Sequence, residues 1–254
     1  MAEKDTPYFV GFLPIPAGLK LFLLVVSLSL ITGFAAGGIL VGISQDDPGQ
    51  AGFRFDHGRQ TVTGVFESHP YPMLHITMGS EHLPTGKTIM VSGQGKTNIM
   101  RGRSDELDGK IVEISGVIVQ RGDLKMLQIA GGRRGLKPTE EDGVVPVAED
   151  LGTWRVKGEI CDGKCLAGAM NPGRGIAHKA CANLCLIGEI PPVFVSTKPI
   201  EGEEYFLIAG PDGKEMTQDT YNYVGQFVEA ETRIERRGNL LVMRMDPAKM
   251  QVTP

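Results

Sequence analysis

The four cysteines of this 254-residue chain all fall within 25 positions, as Cys161-x3-Cys165 and Cys181-x3-Cys185, with His178 just ahead of the second pair. Thiolate and imidazole are ligands for soft and borderline metals. Zinc and Cu(I) come first, and an iron–sulfur cluster is less favoured because the familiar cluster spacings differ from C-x3-C. Cys161, Cys165, His178, Cys181 and Cys185 are therefore the candidate metal ligands. The same residues admit two other readings. An even number of cysteines in an exported domain fits two disulfide staples, and a histidine beside a thiol can lower its pKa and make it a redox nucleophile.

The spacing constrains these readings. If residues 177 to 186 are helical, about 100° per residue puts His178, Cys181 and Cys185 within an arc of about 60° on one face. Cys161 and Cys165 follow a strand expected over 155 to 160, and a turn at Asp162-Gly163 would return both thiols toward that helix. Helical residues four apart have Cβ atoms about 5 to 6 Å apart, against about 3.5 to 4.5 Å in a disulfide, so a Cys181–Cys185 bond is disfavoured. Cross-pairing of the first pair with the second stays open.

The stretch Gly163-Lys164-Cys165 through Met170-Asn171-Pro172-Gly173, His178-Lys179-Ala180-Cys181-Ala182 and Gly188 to Pro192 resembles a segment of uncharacterised bacterial membrane-anchored proteins. The resemblance covers about 35 residues and implies no named activity. C-x3-C is also similar to the copper motifs of CuA domains and SCO-type chaperones. The CuA pattern needs a histidine where this chain has Ala169 and Glu189, and the SCO pattern implies a thioredoxin-like fold that the β-rich pattern here does not suit.

Other residues carry weaker signals. His69, Met73, His75, Met78 and His82 form a loose group of the kind exported copper proteins use. In a strand over 74 to 78, however, His75 points away from Met78. Gly86-Lys87-Thr88 and Gly95-Lys96-Thr97 look like the end of a phosphate-binding loop but lack its earlier glycine and read as turns. No nucleophile elbow, H-E-x-x-H or dinucleotide fingerprint is present, so no catalytic set is assigned. Lys and Arg number 26 against 30 Asp and Glu, which leaves no polybasic signature for nucleic acid.

Leu21 to Ile43 is a run of 23 uncharged residues. About 20 suffice to cross a bilayer, and a cleavable signal peptide normally has only about 7 to 15. A transmembrane helix over 21–43 is expected. Lys4 and Lys20 precede it and no cation follows until Arg54, which orients the N-terminus to the cytoplasm and the rest to the periplasm of a bacterial inner membrane. Before the span, Tyr8 to Pro16 is apolar and aromatic with two prolines, suited to the interface. Glycines four apart, Gly33/Gly37 and Gly38/Gly42, could admit a partner helix.

Beyond a polar linker the chain reads as short β runs with glycine turns: 61 to 66, 87 to 92, and a hairpin of 110 to 120 with 124 to 129 across Arg121-Gly122-Asp123. Asp108 to Leu124 recurs at a constant offset of 116 as Val224 to Leu240, including a second hairpin turn, Arg237-Gly238-Asn239. A weaker match sets Thr63-Gly64-Val65 beside Lys157-Gly158-Glu159. The expected fold is mainly β: one transmembrane helix, then two tandem small OB-like barrels, the second with a Cys-rich helical insert over 161–192. A β-sandwich is the alternative. The expected divisions are 1–20 interfacial, 21–43 span, 44–58 linker, 59–147 first barrel and 148–254 second barrel. Together these imply a membrane-anchored periplasmic accessory protein whose insert binds a metal or handles electrons. A disulfide-stapled docking subunit with a membrane or periplasmic partner, and a thiol–disulfide oxidoreductase, are the competing readings.

Overall fold

The structure is a computed structural model that describes residues 15–44, 50–99 and 104–253. The chain forms two compact units, divided after Pro48. The first contains helix α1, Ala17–Ser44, whose 28 residues extend about 42 Å at 1.5 Å each. It is long and apolar enough to cross a bilayer and contains the expected span. Its large side chains, Leu21, Phe22, Phe34 and Ile43 among them, point outward on every side. This all-round apolar surface accords with a helix long and apolar enough to cross a membrane. Most of the aromatic stretch Tyr8–Pro16 lies outside the described residues, as does most of the linker expected before Gln50.

The second unit holds two closed five-stranded barrels. The first is built from β2 (Gln60–Glu67), β3 (Met73–Met78), β4 (Thr88–Ser92), β5 (Lys110–Arg121) and β6 (Leu124–Ile129). Its order is β2-β3-β4-β6-β5 and back to β2, with only the β4–β6 pair parallel. Two further strands, β1 (Ala51–Phe53) and β7 (Leu136–Asp142), add to the long β5. The second barrel repeats the plan with β8 (Glu149–Asp162), β9 (Pro192–Ile200), β10 (Glu203–Ala209), β11 (Phe227–Arg237) and β12 (Leu240–Arg244); β13 (Met250–Val252) extends β11. This is the expected pair of OB-like barrels.

Register confirms the repeat. Gly64 opposes Val112 in the first barrel, and Gly158 opposes Val228 in the second. At both glycines the backbone of the neighbouring strand passes close by. A Cβ on Gly64 would lie 2.2 Å from the carbonyl oxygen of His75, and one on Gly158 2.0 Å from that of Val195. Because the obstructing atoms are backbone, Gly158→Ala should destabilise the chain by about 2 to 3 kcal/mol through forced strand separation. A urea midpoint unchanged from wild type would refute that expectation.

Strand alternation explains how the barrels join. Leu74, Ile89, Val91 and Leu127 point into the first barrel's own core. Their neighbours Met73, Met90 and Met126, side by side across β3, β4 and β6, point outward and pack into the core of the second barrel. The two repeated hairpins then clasp reciprocally. Arg121, buried at the end of β5, donates from Nε to the carbonyl of Leu166 in the insert at 2.5 Å. Its counterpart Arg237 donates to Glu67 and, at 2.9 Å, to the carbonyl of His69 in the first barrel. The halves meet through these reciprocal contacts, and the insert lies beside their junction.

The loose His/Met group does not converge. His75 is buried between Glu67 Oε2 at 2.7 Å and Thr88 Oγ1 at 2.9 Å, His69 bridges Glu215 and Asp105, and His82 stacks on His57 at 3.7 Å. Each histidine already has a structural partner, and Met78 faces outward.

Candidate metal centre

The insert leaves β8 and returns into β9, so it occupies the loop between the first two strands of the second barrel. Cys165–Ala169 forms one wide helical turn, Ile176–His178 a tight one, and α2 (Lys179–Ile187) follows as the helix expected around residues 177 to 186. His178 sits just before α2. Cys181 and Cys185 lie one turn apart on its inner side.

Two groups of donor atoms form around the shared thiol of Cys165. Cys165, His178 and Cys181 have donors within 4.8 Å of one another, and so do Asp162, Cys165 and Cys185. Cys165, Cys185, His178 and Asp162 are all buried. Asp162 braces the site with both oxygens: Oδ1 accepts from the backbone N–H of Cys165 at 2.7 Å, and Oδ2 lies 3.1 Å from His178 Nε2. A carboxylate behind an imidazole is the usual device for orienting a metal-binding histidine.

Cys161 is not part of either group. Alternation along β8 puts Val156 and Ile160 on one face and Arg155, Lys157, Glu159 and Cys161 on the other, although Cys161 is buried and packs in the same hydrophobic cluster as Val156 and Ile160. The strand continues straight to Asp162 instead of turning there, so Asp162 rather than Cys161 faces the centre. Cys161 Sγ lies 3.4 Å from Glu159 Oε1, and burial together with that carboxylate pushes its thiol pKa up.

No protein-family model, curated protein or solved structure matches the chain. The chemistry of the centre is therefore read from its own geometry.

All four cysteines are free thiols. Cys165 Sγ and Cys185 Sγ are 3.9 Å apart, far beyond a sulfur–sulfur bond of about 2.05 Å. Two thiolates each about 2.3 Å from a tetrahedral ion would stand about 3.8 Å apart. The observed separation suits a shared ion. The hydrogen bond between these two sulfurs raises the pKa of Cys165 and lowers that of Cys185.

The first barrel contributes too. Its loop after β4 lies against the end of α2, where the backbone N–H of Asn98 donates to Gly188 O at 2.8 Å. Only glycine fits there, because a Cβ at position 188 would come within 1.8 Å of Lys96 O. From this loop Lys96 Nζ reaches Cys181 Sγ at 2.9 Å. Lys164, buried within the insert, donates to the carbonyls of Gly93 and Gly95, both at 2.8 Å, and its burial lowers its pKa. Two cations thus flank a site that would carry excess negative charge once its thiols ionise. Asp162, Lys96 and Lys164 were not among the candidate residues read from sequence. The signal for Asp162 was its even-numbered place in the alternation of β8.

Proposed function

We propose that this chain is a membrane-anchored, non-catalytic accessory protein that holds one metal ion in the insert of its second barrel. The ligands are Cys165, Cys181, Cys185 and His178, with Asp162 orienting the imidazole and Cys161 outside the set. Three thiolates and one imidazole make a recurrent tetrahedral zinc site, and the same donors accept Cu(I). The observation that carries this reading is that the Cys165 thiol belongs to two donor groups at ligand spacing, one with His178 and Cys181 and one with Asp162 and Cys185, with Cys165 and Cys185 3.9 Å apart.

The apolar α1 supports anchoring, and the cations at Lys4 and Lys20 favour a cytoplasmic N-terminus with the barrels in the periplasm. The barrel pair supplies a rigid frame: β8 and β9 fix both ends of the insert, and the first barrel's loop closes over it.

Cobalt substitution tests the coordination. The full chain in detergent, loaded with Co2+, should develop intense thiolate-to-metal absorption with the visible bands of a tetrahedral site. Addition of Zn2+ should bleach both. Weak bands of octahedral Co2+ alone would refute the ligand set.

A further inference from the structure

The sulfur atoms of the insert do not stop at the cysteines. Cys165 and Cys185 are 4% and 2% exposed, Cys181 is half-buried, and beyond it Met170 is 44% exposed. Met170 belongs to no hydrophobic core. Its thioether nevertheless ends 3.4 Å from Cys181 Sγ, although the backbone between them runs through eleven positions and two turns. Two sulfurs each about 2.3 Å from one ion stand about 3.8 to 4.0 Å apart in tetrahedral or trigonal geometry. The flexible methionine side chain can supply the difference by small torsional adjustments.

A thioether is a selective ligand. It binds soft monovalent ions such as Cu+ and Ag+, and adds nothing useful for Zn2+, which prefers thiolate, imidazole and carboxylate. The outer edge of the site is thus softer than its inner part, where Asp162 and His178 stand.

Building on the metal-site reading above, we infer that Met170 is a thioether ligand at the solvent edge of the site, and that with Cys181 it receives a soft monovalent ion of the Cu+ class. The ion would be held first by Met170 and Cys181. Cys165, which shares a donor group with Cys181, then draws it inward by ligand exchange, without change of oxidation state.

The test compares wild type with Met170→Leu, which keeps the size and apolarity of the side chain but removes its sulfur. The full chain in detergent is titrated anaerobically with Cu+ against a chromophoric Cu+ chelator, and separately with Zn2+. Met170→Leu should weaken Cu+ binding about tenfold, at the low end of what loss of a supporting group costs a metal site, and leave Zn2+ binding unchanged. With methyl-labelled methionine, Ag+ should also shift the one resonance that Met170→Leu removes. Equal Cu+ affinity in the two proteins, or an equal loss for both ions, would overturn this inference while leaving the metal site standing. Failure of the wild-type chain to bind either ion would overturn both.

Discussion

Cys165→Ser is expected to lower zinc affinity by more than about 100-fold, because supporting residues around metal ligands already cost 10- to 100-fold when changed and Cys165 is itself a ligand. Cys161→Ser should leave affinity unchanged. The contrast is informative because the two residues belong to the same C-x3-C pair. Cys165 is common to both donor groups, whereas Cys161 lies on the opposite face of β8 beside Glu159. Asp162→Asn should fall between them. It keeps an acceptor for the Cys165 N–H but removes the charge behind His178. Competition with a zinc-sensitive dye gives all three affinities. Equal losses at positions 161 and 165 would mean that β8 turns earlier than described and that both thiols face the ion.

Arg237→Met should be among the most destabilising single changes in the barrels, at about 3 kcal/mol or more. Arg237 is clasped between Glu67 of the first barrel and Glu235 of the second, in a network that runs on to Arg244 and His75. The side chains of Glu67 and Glu235 are only 11% and 6% exposed. Removing the cation leaves two largely desolvated carboxylates with only His75 beside Glu67 and Arg244 beside Glu235, which is why the loss exceeds that of an ordinary exposed ion pair. Arg233→Ala breaks an exposed pair with Asp150 and serves as the control, with no expected shift in urea midpoint. Coincident midpoints for the two variants would show that the junction contributes little to stability.

Much of this architecture was legible in the sequence. The hairpin of 110 to 129 and its copy 116 positions later announce themselves by glycine turns and alternation, and these local signals specify local geometry. The helix around Cys181 and Cys185 was equally readable, as was the long apolar helix α1. What sequence did not reveal depends on distance along the chain. Lys96 meets Cys181 from 85 positions away, and Arg121 reaches Leu166 from 45. Such contacts exist because the two barrels pack against each other, which no local pattern encodes.

Cys161 and Asp162 are a different case. The alternation of Arg155, Lys157 and Glu159 against Val156 and Ile160 is visible in the sequence. Extending the strand by two residues would have exchanged Cys161 for Asp162 at the centre. The conventional expectation of a turn at Asp-Gly hid this, because the strand runs on until Gly163 and only then does the chain bend.

The most direct measurement is metal content together with thiol count on the full chain, extracted in detergent without chelator or reductant. The expected result is one zinc or copper per chain, with the Cys165, Cys181 and Cys185 thiols resistant to alkylation until acid or chelator removes the ion and protonates or frees them. A chain without metal, whose thiols appear only after reduction, would contradict the metal site and make the insert a disulfide-stapled surface instead.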